Sequence, residues 1–186
     1  MLDEERYTVD THKNFSVILT THAIVGASVA SLVPAHPFAA FVIGFSSHFA
    51  LDAIPHWHYP TPSVHVDLKN KMNTDMVMGR KFFMDMGKIG LDALLGILLS
   101  FFIFRSAYPQ FFSVIFWGAT GGILPDALQF LYWKFRHEPI KSLQRFHIWI
   151  HAETDLDDHT PLGVALQVGL ILLCVFVAKR IAFAAR

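Results

Sequence analysis

Only one cysteine occurs among the 186 residues, Cys174, and it lies inside an apolar run. A lone thiol excludes an intrachain disulfide and argues against a thiolate zinc site, so Cys174 is expected to act as a buried small hydrophobe. Net charge is missing too: 15 basic and 15 acidic residues cancel, and charged residues make up only 16% of the chain. No global field therefore points to nucleic acid or to an acidic partner. The start, Met1-Leu2-Asp3-Glu4-Glu5, lacks the basic stretch of a cleaved signal peptide, so the first apolar run is expected to remain as a membrane helix. No low-complexity tract or solenoid repeat is visible, although Gly44 to Asp52 and Gly118 to Asp126 share a Gly-x7-Asp spacing.

The chain does have apolar mass. Its hydrophobic content of 53%, its 18 Phe and a mean hydropathy of +0.42 exceed what a soluble domain of this size carries. The expectation is one integral-membrane domain over 1–186, an all-α polytopic bundle of about five apolar segments at 14–33, 37–54, 82–104, 111–133 and 162–178. The first two should form a tight antiparallel hairpin with its tip at Ala35-His36. In the fourth, Gly118, Gly121, Gly122 and Pro125 permit close helix packing or an unwound turn. Lys69, Lys71, Arg80 and Lys81 follow the second segment, and Lys134, Arg136, Lys141 and Arg145 follow the fourth, whereas the turn after the third carries only Arg105. Positive-inside bias then puts the N terminus and both long connections in the cytoplasm. Lys179, Arg180 and Arg186 disagree with a fifth full crossing, so the last segment is re-entrant or interfacial, or the bias is imperfect there.

Histidine is in excess, with 11 residues. The stretch Ser47-His48-Phe49-Ala50-Leu51-Asp52-Ala53-Ile54-Pro55-His56-Trp57-His58 sets three imidazoles and a carboxylate at the end of an apolar run, where ionisable groups are costly unless paired, neutral or metal-bound. His48 and Asp52 lie one helical turn apart, as do His147 and His151, and such pairs can share one ion. Pro55 should end the helix and let His56 or His58 fold back toward Asp52. The topology brings His22, Asp85 and Asp126 to the same depth. Together His22, His48, Asp52, His58, Asp85, Asp126, His147 and His151 are the candidate metal ligands, with Asp52 bridging and His56 as alternative ligand or general acid. Imidazole with carboxylate suits zinc, and also manganese or iron, with one to three ions. Plainer readings stand beside these: His22 as a hydrogen-bonded core histidine, Asp85, Lys88 and Asp92 as an internal ion-paired face, and Pro125-Asp126 as a turn or half-helix cap. Glu153, Asp155, Asp157 and Asp158 read as a solvated loop, one of which could orient a histidine ligand. Trp57, Tyr59, Tyr132, Trp133 and Trp149 read as an interfacial aromatic belt.

Thr21-His22-x3-Gly26, Gly121-Gly122-Ile123-Leu124-Pro125-Asp126 and the later histidine pair resemble the membrane-bound metal-dependent hydrolases known as LexA-binding, inner-membrane-associated hydrolases. Arg145-Phe146-His147-Ile148-Trp149-Ile150-His151 stands where that family has Arg-Gly-x-Thr-His-Ser. His48-x3-Asp52-x5-His58 is similar to the metal-binding segment of the zinc-dependent phospholipase C and single-strand nuclease superfamily, which implies an Asp52 that bridges metals and a later pair, here His147 and His151, that adds ligands. The resemblances imply a hydrolase of the bacterial inner membrane that cleaves a phosphoester of a lipid or lipid-linked substrate with metal-activated water. Apart from the resemblances, Arg145 or Lys141 could hold a phosphate, and basic residues there equally satisfy the orientation bias. The competing expectations are a non-enzymatic metal carrier or sensor, and a structural protein with internally paired polar groups.

Overall fold

The computed structural model describes residues 18–33, 36–67, 69–104, 112–154 and 156–184. Among these residues the chain is all-α: α1 (Leu19–Ala30), α2 (Pro37–Asp52), α3 (Arg80–Phe104), α4 (Phe112–Phe135), α5 (Ile140–Ile150) and α6 (Thr160–Ala184). Its small sheet pairs β1 (Val64–His65) with β2 (Asp75–Met76), antiparallel, with Val64 opposite Met76. Residues 14–17 of the first expected segment, the N terminus, Ala35 of the hairpin tip, Arg105, Asp155 and Arg186 lie outside the described residues.

Among the described residues three helices are long and apolar enough to cross a membrane, α3, α4 and α6, rather than about five. The correction is one of length. With 12 and 16 residues, α1 and α2 rise about 18 and 24 Å, short of a hydrocarbon layer of about 30 Å. Pro55 accounts for the early end of α2 at Asp52, because the residues before a proline are pushed out of helical dihedrals. In contrast, Pro125 neither ends nor turns its helix: α4 runs through it without interruption. The last segment is likewise one continuous helix. Its Gly163 packs on Trp57 at one end of the bundle, and its Ala178 joins Phe104 and Ile115 at the other. By length and composition this helix is one of those that could cross a membrane. Phe83, Leu91, Leu95 and Leu98 of α3 and Leu166, Leu172, Leu173 and Phe176 of α6 are exposed, an apolar surface that a bilayer would cover.

α1, α2 and α4 form the centre, stacked in levels. Ala30, Ala40 and Val114 make one buried cluster. One level on, Gly26 and Gly44 both press on Gly118: a Cβ on Gly26 would stand 2.5 Å from the Gly118 carbonyl oxygen, and one on Gly44 would overlap it. At the third level His22 and His48 lie with their rings 4.2 Å apart beside Gly122. These levels make α1 antiparallel to the other two and α2 parallel to α4. Small residues let the backbones touch, the packing that apolar surroundings favour when hydrophobic burial supplies little drive between helices. α4 continues beyond the point where α2 stops. There Tyr132 and Trp133 are buried with Met76 and Phe82 under the small sheet, so these two belong to the core and not to an aromatic belt.

Candidate metal centre

The third level of the bundle carries the site. His22 comes from the first turn of α1, His48 and Asp52 from the last turns of α2, Asp126 from α4 directly after Pro125, and His147 from the last turn of α5. Gly122 matters because a Cβ there would collide with the His22 carbonyl. Gly121 does the same against α2, where a Cβ would meet the Phe41 carbonyl and the Phe45 N–H, and the close approach lets the His48 Nδ1–H donate to the Gly122 carbonyl at 2.8 Å. A carbonyl only accepts, so Nδ1 of His48 carries a proton, and Nε2, whose lone pair a cation would take, faces the interior beside Asp52. Metal-ligating histidines are held in this way.

Around that lone pair the donors converge. His48 Nε2 lies 3.4 Å from His147 Nε2 and 3.6 Å from Asp126 Oδ1, and His147 Nε2 is 3.8 Å from the same oxygen. Zinc bonds of about 2.0–2.1 Å at tetrahedral angles set neighbouring donors about 3.3 Å apart, so this triangle needs little adjustment to hold an ion. Asp52 connects it to a second group. Its Oδ2 is 2.7 Å from His147 Nε2 and 3.0 Å from His48 Nε2, and its Oδ1 is 3.4 Å from His22 Nε2. His22, His48 and Asp52 also fit a single ion. All of these side chains are buried except that of Asp126, which is 10% exposed. Asp126 Oδ2 and His22 Nδ1 are buried with no hydrogen-bond partner among the described residues. Two buried carboxylates among three imidazoles, with an oxygen and a ring nitrogen left unpartnered, are a costly arrangement that a cation relieves.

A third group stands beside the buried pair, nearer the surface: His56, His58 and His151, all half-buried, again with donors close enough for one ion. Each ring has its Nδ1 on an oxygen: His56 on the Ile54 carbonyl at 2.7 Å, His58 on Asp157 Oδ1 at 3.1 Å and His151 on the Ala152 carbonyl at 3.1 Å. Asp157 also accepts from the His58 backbone N–H at 2.8 Å. Burial, then neighbouring His58, lowers the pKa of His56, and burial drives that of His151 down to about 4. Both imidazoles are therefore neutral at physiological pH, the form that ligates. The two loops that carry them are tied together through their backbones, with Ala152 N–H donating to the Asp52 carbonyl at 2.7 Å and Leu156 N–H to that of His56 at 3.1 Å.

The structure thus brings together His22, His48, Asp52, Asp126 and His147, with His56, His58 and His151 next to them. Two expectations change. Asp85 does not join any group of possible ligands: its Oδ2 accepts from the Ser63 backbone N–H at 2.9 Å and from Ser63 Oγ–H at 2.6 Å, and its Oδ1 pairs with Lys88 at 3.3 Å. It anchors the loop before β1 to α3. His147 and His151, moreover, serve different groups, because His151 leaves the helix with φ −62° and ψ 132° and turns its ring outward. The expected internal pair is thus Asp85 with Lys88, whereas Asp92 caps α1, accepting from Leu19 N–H at 2.7 Å and Thr20 N–H at 3.3 Å. Arg145 is exposed on α5 and Lys141 half-exposed. Sequence reasoning did not single out Asp157 from its acidic neighbours, and the carbonyls of Gly122, Ile54 and Ala152 leave no signal in a residue pattern. No family model, no curated protein and no solved structure matches this chain.

Proposed function

We propose that the protein is a metal-dependent hydrolase embedded in a bacterial cytoplasmic membrane, cleaving a phosphoester of a lipid or lipid-linked substrate. The carrying observation is the fusion of ligand groups through His48, with donor spacings of 3.4–3.8 Å in one of them. A fully closed site would fit a purely structural ion, but the His56, His58 and His151 group is half-exposed, as a site that admits substrate must be. The shared residues with the membrane-bound hydrolases and with the phospholipase C superfamily, namely His22, His48, Asp52, His58, Asp126 and His147, support the same chemistry.

A divalent cation in these groups supplies Lewis acidity toward a phosphoryl oxygen and makes water a stronger acid. Asp52 spans the two buried groups and holds their spacing. His56 and His22 line a cavity of about 30 Å³, room for one water. We assign His56 to proton transfer rather than to metal binding: its Nε2 takes the proton of that water as the water oxygen bonds to phosphorus and the P–O bond to the alcohol breaks, the proton then passing to the leaving oxygen, while His58 and His151 remain the donors of the outer group. Basic residues cluster on the connections at this end of α3 and α4, which supports a cytoplasmic opening.

Against a carrier, the hydroxyls of Ser46 and Ser47, which would form a polar path, are spent on the α2 carbonyls of Val42 at 2.9 Å and Gly44 at 2.7 Å. The test is elemental mass spectrometry on detergent-purified protein, wild type against Asp52→Ala and His147→Ala/His151→Ala, followed by phospholipid and phosphoester turnover. Stoichiometric metal lost in both variants, with turnover, is the expected result. A folded wild type that stays metal-free after reconstitution would defeat the proposal. Bound metal without turnover of any phosphoester would leave the sensor reading.

A further inference from the structure

A second cavity opens on the other side of the buried donors. It has a volume of about 200 Å³ and is walled by Met86 and Ile89 of α3, by Ile123, Phe130 and Trp133 of α4 and by Met76 of β2, with Asp126 as its one ionisable lining residue. The Asp126 Oδ2 that has no hydrogen-bond partner among the described residues belongs to this carboxylate. One wall thus touches a proposed ligand and nearly all the rest is hydrocarbon. Thr61 and Gln129 are the other polar lining residues.

We infer that this cavity is the chamber for the hydrocarbon part of an amphiphilic substrate whose phosphoester lies at the buried donors, an inference that rests on the hydrolase proposed above. Three observations choose that occupant. The two long walls are α3 and α4, both long and apolar enough to cross a membrane, so the cavity is built from helices whose outer faces suit lipid rather than water. Dry apolar cavities of about 150 Å³ take up benzene, so this one accepts a comparable or slightly larger hydrocarbon group and leaves the remainder of a longer chain in the bilayer. Finally, the water-sized cavity at His22 and His56 shares no lining residue with it, so hydrocarbon and the attacking water would reach the donors by separate routes. Water on one side and hydrocarbon on the other is the arrangement that hydrolysis of an amphiphile needs.

The test uses an octylphosphonate carrying a diazirine in its chain, photolysed with the full-length protein in detergent, with adducts mapped by mass spectrometry. A phosphonate is not hydrolysed, so labelling reports occupancy without turnover. The chamber predicts adducts on the 86–89 and 123–133 peptides, competed by excess octylphosphonate but not by methylphosphonate. Ile89→Trp, and independently Ile123→Phe, should fill the space and abolish those adducts while metal content stays at the wild-type level, which also reports that the variants fold. Adducts confined to the outward residues Leu91, Leu95 and Leu98, or unchanged by both fillings, would overturn the chamber. Labelling as predicted in a protein that binds no metal and turns over no phosphoester would support the chamber and refute the hydrolase. A metal-replete, active protein without lining adducts would refute the chamber alone.

Discussion

Substituting Gly44 with alanine adds one methyl group at the contact between α2 and α4, and its consequences can be worked out from the structure. In an open helix the change is favourable by up to about 1 kcal/mol, because alanine loses less backbone freedom. Here the new Cβ would overlap the Gly118 carbonyl oxygen and stand 2.9 Å from its carbon and 3.1 Å from its Cα, all main-chain atoms that no rotamer can move aside. Overpacking of this kind costs about 1–3 kcal/mol, so the net effect is a loss of about 1–2 kcal/mol, or a Tm lower by about 2–8 °C. The helices must part, and His48 sits one turn beyond Gly44 with its 2.8 Å hydrogen bond to Gly122 crossing the same seam. Weakening the group that orients a ligand typically costs about 10–100-fold in metal affinity. Chelator-competition titration and thermal unfolding in detergent measure both effects. Gly87→Ala and Gly90→Ala on α3, where an added Cβ meets nothing within 4 Å, are the controls and should leave affinity unchanged. If Gly44→Ala matched these controls in both assays, the claim that backbone contact sets the ligand geometry would be wrong.

Asp52→Asn keeps the shape of the side chain but removes the charge shared by His22, His48 and His147, and should yield protein without stoichiometric metal by elemental analysis. Asp85→Asn should retain metal yet lose stability by about 1–3 kcal/mol, because the buried Ser63 contacts are left imperfectly paired; metal loss in that variant would restore Asp85 to the site. Asp92→Ala removes the cap of α1 and should lower stability by about 0.5–2 kcal/mol in a thermal melt, with metal content preserved. Asp157→Asn should weaken metal binding only at the half-exposed group, giving a lower stoichiometry in titration with the tight-binding fraction intact.

The polar residues of the site were legible because lipid-compatible sequence makes ionisable groups conspicuous: His22, His48, Asp52 and Asp126 each interrupt an apolar run. Their convergence followed from topology alone. Helix length was less legible, since the hydropathy of the first two runs continues past Ala30 and Asp52, where the helices end. Asp85 was misassigned for a related reason. It stands at the expected depth, but depth says nothing about which way a carboxylate faces on its helix, and Ser63, a loop residue 22 positions earlier, takes it. The helix α5 was hidden in a polar connection, so the outward turn of His151 at its end could not be foreseen.

The echo Gly44-x7-Asp52 and Gly118-x7-Asp126 now has a physical meaning. Because α2 and α4 run in the same direction and meet glycine to glycine, each carboxylate stands eight residues, about 12 Å, further along its own axis, and both arrive beside the same two imidazoles. The interval works as a gauge. A single inserted residue in either helix would swing one carboxylate by about 100° and advance it by about 1.5 Å, removing it from the imidazoles. Between glycine and aspartate the two helices can therefore change length only in step.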